Sequence, residues 1–277
     1  MITQVAPHPF ELIAWYAEAG VTEALDETPH DHFTEAPPAQ AERSAPQLTR
    51  DLPPQRPAVP VRAMPAAATT PDEAQLSAQA LAREATSLDE LKAAMARFEG
   101  CALKATAKTL VFADGNRAAR LMLVGEAPGA EEDRLGLPFV GKSGQLLDRM
   151  LAAIGLTRAE HVYITNLLPW RPPGNRTPTL HEVAICMPFV QRHIQLANPD
   201  ILVCVGAPSA QGLLGLSGIL ASRGKWLEYD TGQRKIRAMA TLHPAYLLRQ
   251  PLQKRLAWRD LRALKAALEA SDRTGAG

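Results

Sequence analysis

The chain has 277 residues and a formal net charge of +1, with 46% hydrophobic and 21% charged residues. That length holds one large domain or two small ones, and the apolar content supports a sizeable core. The near-neutral balance gives no bulk signature of a nucleic-acid binder, no apolar run of about 18 residues predicts a membrane span, and three scattered cysteines exclude a disulfide framework.

A reducing compartment is expected from that cysteine usage. The first residues lack the basic and apolar regions of a signal peptide, so the expected location is cytoplasmic. The average charge conceals an asymmetry. Residues 1–60 carry nine acids and three arginines, a balance of −6, which leaves +7 for the remainder.

In chain order, Phe10 to Ala24 reads as a short amphipathic helix, with Phe10, Ile13, Ala14, Ala17 and Val21 on one face. Pro29 to Pro71 holds ten prolines and no glycine. Such a segment buries too little surface to offset its ordering entropy, so it is expected to be an extended, disordered linker. Ala74 to Phe98 has helical spacing, with Ser87-Leu88-Asp89-Glu90 as an N-terminal cap pattern. Beyond Gly100 the pattern alternates. Strands are predicted at Thr109–Phe112, Leu121–Gly125, Val162–Asn166, Ile201–Gly206 and Arg237–Thr241. Helices are predicted at Gln145–Ile154, Leu180–Ala197, Ala207–Leu214 and Pro251–Ala270. Continuous apolar strands between helices predict an α/β fold, a three-layer α/β/α sandwich around a mainly parallel sheet. The expected organisation is a helical segment at 1–28, a Pro-rich N-terminal extension at 29–71 and one domain at 72–277.

The most informative stretch is Gly125 to Leu147, GEAPGAEEDRLGLPFVGKSGQLL. It joins a predicted strand to a predicted helix, the place where open α/β sheets keep their ligands. Its glycines allow close backbone approach. Glu126, Glu131, Glu132 and Asp133 argue against a phosphate cradle, and no Walker-type Lys-Ser/Thr follows. Acids with one aromatic, Phe139, suit electrostatic work on a flat neutral group.

Other strand ends carry chemistry too. Asn166 ends a predicted strand, and its amide offers one planar donor and acceptor edge that can pair with a nucleobase. An Asn there also caps turns. His243 follows the last predicted strand in TLHPAYLLR, placed to donate to a leaving group or to bond backbone. Tyr246, Leu247 and Leu248 read as an apolar wedge in a loop, or as packing under the final helix. Arg171, Arg176 and Arg249 sit where they can track a phosphate backbone.

Taken together, GEAPGAEED and GLPFVGKSGQLL (125–147), VYITNLLPWRPPGNR (162–176), PDILVCVGAPSA (199–210) and TLHPAYLLRQP (241–251) resemble the family 4 uracil-DNA glycosylases, a group related to a region of a phage DNA polymerase. The resemblance covers about residues 97 to 268. It implies an enzyme that flips deoxyuridine out of DNA and releases uracil. It implies that Phe139 stacks on the uracil, that Asn166 reads its edge, and that His243 donates to O2 of the departing base. It implies a carboxylate that stabilises the sugar cation or orients water, Glu126 first and Glu132 second. Ala127 stands where the first family of uracil glycosylases has an Asp. The family also holds a 4Fe–4S iron–sulfur cluster on four cysteines. Here Cys101 and Cys186 remain as remnants, Lys104 and Trp170 occupy the other two places, and Cys204 lies in an apolar strand. No cluster and no other metal is therefore expected. The implied partner is uracil-containing DNA, with a protein partner possible for the N-terminal helix, no membrane, and a monomer. Two other readings remain open on the residues: a glycosylase of the same fold for another deaminated base, and a non-catalytic DNA-binding repair scaffold.

Overall fold

A computed structural model describes residues 71–274. The helix expected at Phe10–Ala24 and residues 29–70 of the linker expected at 29–71 lie outside the described residues; Pro71 itself begins a helix. The first described helix is α1 (Pro71–Glu84), followed by α2 (Leu88–Arg97) and α3 (Leu103–Thr106). The single helix expected from Ala74 to Phe98 is thus two. Ser87 divides them, and its hydroxyl accepts the Glu90 amide at 3.2 Å, as the cap pattern predicts.

Six strands form one sheet: β1 (Asp114–Gly115), β2 (Leu121–Gly125), β3 (Val162–Asn166), β4 (Ile201–Val205), β5 (Leu227–Asp230) and β6 (Lys235–Thr241). Their order is β1-β3-β2-β4-β6-β5. The four central strands are parallel, and the edge strands β1 and β5 are antiparallel to their neighbours. Between β2 and β3 lie α4 (Ala130–Leu135), α5 (Lys142–Ala152) and α6 (Arg158–His161). Then come α7 (Leu180–Ala197), α8 (Ala207–Leu214), α9 (Ile219–Ser222), α10 (Pro244–Arg249) and α11 (Lys254–Thr274).

β2, β3 and β4 are buried along their whole length, which is why they read as continuous apolar runs. Their side chains alternate between two cores. Met122, Val124, Tyr163 and Leu202 face a cluster holding Leu91 and Met95 of α2 and Ile185 and Phe189 of α7. Leu121, Leu123, Ile164 and Val203 face a second, with Leu147 and Leu151 of α5 and Leu261 and Leu264 of α11. No helix among the described residues is long and apolar enough to cross a membrane.

Three further expectations change. Thr109–Phe112 is not a strand. Asp133 takes the Lys108 and Thr109 amides at 2.8 and 3.1 Å, and the Thr165 hydroxyl donates to the Phe112 carbonyl at 2.7 Å. Side chains take the Thr109 amide and the Phe112 carbonyl, and the Val111 amide donates to the Pro169 carbonyl at 2.9 Å, so the segment makes no ladder with a neighbouring strand. β5 has no counterpart among the predicted strands, because only alternate residues are partly buried and the run is too polar to stand out. Pro244–Arg249, expected as a loop, is helical. Pro244 occupies the first turn, where a missing N–H costs nothing.

The chain runs from β2 to β3 on one side, then crosses to β4 on the other side of β2. Loops leaving the carboxyl ends of β2 and β4 therefore diverge and open a crevice.

Candidate active site

That crevice is a cleft of about 620 Å³. It gathers Glu126 and Ala127 after β2, Phe139, Asn166 at the end of β3, and His243 after β6. Four segments distant in sequence meet because parallel strands put all their carboxyl ends on one edge.

Register fixes the first contacts. Gly125 pairs with Asn166 in the ladder, and the Leu168 amide donates to the Glu126 carbonyl at 3.1 Å. A Cβ on Gly125 would lie 2.4 Å from Asn166 Oδ1 and 2.6 Å from the Phe139 ring. The missing side chain is what lets the amide and the aromatic share one corner. Asn166 is buried, yet its side-chain amide makes no hydrogen bond among the described residues. Its polar atoms are not sealed in the core without a partner, so the edge opens on the cleft and is left for a ligand.

Glu126 is half-buried, and burial pushes its carboxyl above the usual carboxylate range. Nothing among the described residues hydrogen-bonds that carboxyl. Glu132 is different. Its Oε1 accepts the Val140 and Gly141 amides at 3.0 and 2.9 Å, and its Oε2 accepts the Gly129 amide at 3.1 Å. Charge-assisted bonds of this kind are strong. Both oxygens of the second-choice carboxylate thus hold its own loop.

His243 caps α10. Its Nδ1 accepts the Ala245 amide at 3.1 Å. An accepting Nδ1 puts the proton of the neutral ring on Nε2. Burial, reinforced by the Arg249 cation and opposed by Glu132, pulls its pKa down to about 4. The ring therefore stays neutral at pH 7 with one N–H to give. It stacks on Phe139 with centroids 5.4 Å apart. The end of β6 is held just before it, where the Thr241 hydroxyl donates to buried Asp260 at 2.8 Å and Arg223 pairs with the same carboxylate.

The basic and apolar rim divides. Arg249 and Tyr246 line the cleft, and Leu248 is exposed. Leu247 is buried against Leu146, Leu242 and Ala257, because the helix turns it inward, so it is withdrawn from the wedge. Arg176 lies on the cleft wall, but its guanidinium forks onto Glu182 at 2.6 and 2.8 Å. That pairing holds the Glu182 carboxyl at about 2 and spends charge that was expected for phosphate. Arg171 donates to Asn175 Oδ1 at 2.7 Å. Asn175, in the left-handed region at φ +56, also lines the cleft and is absent from the residues the sequence singles out. Its place in PPGNR, a turn beside Asn166's strand, is the available signal.

Residues 112–262 match the uracil DNA glycosylase superfamily. The chain belongs to that superfamily. It is 41% identical over 170 residues to the type-4 uracil-DNA glycosylase of Archaeoglobus fulgidus, covering 60% of this chain and 85% of that protein. It is 40% identical over 151 residues to the type-4 enzyme of Thermotoga maritima, covering 54% and 77%. It also matches a Bacillus phage SP01 DNA polymerase, 34% identical over 155 residues that span 56% of this chain and 16% of the polymerase.

Within this uracil-DNA glycosylase fold, the places of the four cluster ligands do not supply four thiolates. Cys101 and Cys186 are both buried, and a hydrogen bond between their thiols, with burial, holds Cys186 protonated well above an ordinary thiol. Trp170 is 1% exposed in the same core cluster and stacks on Phe98 at 6.4 Å. The Lys104 ammonium donates to the Ala96 carbonyl at 2.7 Å and pairs with Glu99. An indole and an ion-paired ammonium have no lone pair to offer iron. Cys204 sits in β4, buried, with its thiol pushed up to about 12.

Proposed function

We propose that the chain removes uracil from deoxyuridine in DNA by hydrolysing the N-glycosidic bond, leaving an abasic site. The observation that carries this is the convergence of an unpartnered Asn166 edge, the Phe139 ring and the Nε2–H of His243 in one cleft. The flipped base stacks on Phe139, a contact worth about 1–3 kcal/mol. Asn166 accepts from N3–H and donates to O4. As the glycosidic bond breaks, electrons move onto the base, and His243 donates to O2 as charge grows there. The sugar becomes oxocarbenium-like, and the Glu126 carboxylate stabilises it or orients water. Ala127 lines the cleft with no side chain to serve as a base. Arg249, Arg171, Tyr246 and Leu248 contact the DNA strand around the flipped nucleotide.

Helices packed against both faces of the sheet support the three-layer α/β/α reading for residues from 72 onward. Residues 1–70 are assigned no part in base excision, and the acidic segment, with the helix expected from the sequence at Phe10–Ala24, is assigned to a protein partner instead. The test uses the full chain and a chain beginning at Pro71, each incubated with a labelled uracil oligonucleotide and then treated with alkali. Strand scission at uracil by both is expected. Scission confined to hypoxanthine or xanthine substrates points to another base. DNA binding without scission points to a scaffold. Loss of scission only in the folded shorter chain overturns the assignment of residues 1–70.

We also infer that no iron–sulfur cluster is held. Trp170 fills the space instead. A buried Trp removes roughly 150–250 Å² from water, about 4–6 kcal/mol at about 25 cal/mol per Å². Protein purified anaerobically is expected to be colourless and free of iron. Brown protein with stoichiometric iron and sulfide overturns this reading, and a Cys204→Ser variant then shows whether that thiol was recruited.

A further inference from the structure

Phe139 is the strained point of the site. Its φ is +54°, in the left-handed region that bulky residues rarely adopt. Such a conformation persists only where its surroundings over-determine it. The restraints are on both sides of the ring. After it, Glu132 grips the Val140 and Gly141 amides. Behind it, Gly144 of α5 leaves room for the backbone, since a Cβ there would lie 1.7 Å from the Phe139 carbonyl oxygen. Before it stands Arg158, the first residue of α6 and outside every motif quoted above.

Arg158 makes five hydrogen bonds. Its Nη2 donates to the Phe139 carbonyl at 2.6 Å, and its Nη1 to the Pro138 carbonyl at 2.9 Å. The same guanidinium is fixed from behind. Nε and Nη2 reach Asp148 Oδ1 at 3.0 and 2.9 Å, and Nη1 reaches Asp114 Oδ2 at 2.8 Å. The side chain is 16% exposed. Two carbonyls and two carboxylates are thus served by one planar fork. An ammonium, a single point charge, can satisfy the carboxylates but cannot span both carbonyls as well.

We propose that Arg158 is a positioning residue for base recognition, a clamp on the Pro138 and Phe139 carbonyls, braced by Asp114 and Asp148, that holds the aromatic ring at the depth where the flipped base stacks. It touches neither base nor sugar. The proposal rests on the reading of Phe139 as the stacking platform.

The experiment is a double-substitution cycle in full-length protein. Single-turnover excision from a uracil oligonucleotide is measured for wild type, Arg158→Lys, Phe139→Ala and the double variant, with melting temperatures alongside. Arg158→Lys keeps the ion pairs, so its melting temperature is expected within a few degrees of wild type. Its excision rate is expected to fall about tenfold, within the range that loss of a base–aromatic stack produces. In the Phe139→Ala background the same change is expected to have no further effect. Wild-type excision by Arg158→Lys overturns the clamp, as does a double variant slowed by the product of the two single effects. Should Arg158→Lys fail to fold, Asp148→Asn, at a half-exposed carboxylate, replaces it in the cycle with the same expectations. Wild-type excision by Phe139→Ala removes the stacking reading itself, and the clamp with it.

Discussion

Replacing His243 by alanine is expected to slow uracil release by about 10²–10³ in single turnover while weakening DNA binding far less. The argument starts from the proton. Nδ1 is occupied by the Ala245 amide, so Nε2 carries the only N–H of the neutral ring. A pKa of about 4 keeps that ring neutral through the physiological range. A neutral donor loses no proton to the uracil anion but binds it better than it binds neutral uracil, and that difference lowers the barrier. Alanine also removes the cap of α10, which costs about 0.5–2 kcal/mol of stability. His243→Asn separates the two effects, because its side chain can still cap the helix but does not reach as far. Its melting temperature is expected near wild type and its rate near that of the alanine variant. Rates within a few-fold of wild type for both variants would make His243 a structural cap only. The pH profile gives an independent check. The folded pKa lies below the ordinary value of 6.5, so the stability His243 contributes is present above 6.5 and is lost as pH falls toward 4. It does not set an acid limb in activity near 6.5. Glu126, raised above the usual carboxylate range by burial, is expected to set the acid limb instead, with activity lost as the carboxylate is protonated, and Glu126→Gln is expected to abolish that limb.

Much of this site is legible before any coordinates, and for one reason. Parallel strands buried on both faces are largely apolar, so polar residues at or just beyond their carboxyl ends mark the edge of the sheet where ligands bind. Glu126, Asn166 and His243 all occupy such positions, and all three meet in the cleft. What the sequence does not reveal is what each side chain is doing besides facing the cleft. Glu126 and Glu132 look alike in GEAPGAEED, yet one is unpartnered and the other is consumed by three amides. Arg171 and Arg176 look like a matched pair, but only distance to Glu182 reveals that Arg176 is ion-paired. Leu247 and Leu248 differ only by about 100° of helix rotation, and that rotation requires knowing that Pro244 starts a helix. Arg158 lies 19 residues from Phe139 in a segment with no motif, so nothing local announces a hydrogen bond to its carbonyl. The edge strands escape a sequence reading because β1 has two residues and β5 is half-solvated, and neither forms an apolar run.

Asn166→Asp is expected to lose uracil excision by about 10³-fold or more, the scale on which a site built to hydrogen-bond its substrate rejects a mismatched one. The Asn amide is held over Gly125 with its edge unpartnered, so it cannot easily turn away from the base it meets. With uracil, its N–H₂ faces O4 and its carbonyl faces N3–H. With cytosine, the same N–H₂ faces an exocyclic amino group, donor against donor, and N3 has no proton to give. Two buried polar groups are then left unmatched, each costing about 1–3 kcal/mol. An ionised aspartate reverses the preference. It repels O4, and it accepts from the cytosine amino group, so weak cytosine excision is expected to appear as uracil excision falls. The sign of the pH response separates recognition from damage to the fold. Once protonated, the introduced carboxyl regains one donor for O4. Residual uracil excision by Asn166→Asp is therefore expected to rise as pH falls toward the pKa of that carboxyl, over a range in which the wild-type enzyme gains nothing. Burial beside Phe139 favours the protonated form and brings that rise to higher pH than for an exposed aspartate. Asn166→Ala has neither donor nor acceptor and is expected to stay slow at every pH on both bases. Uracil excision at the wild-type rate by the alanine variant would sink the assignment of Asn166 as the residue that reads the base.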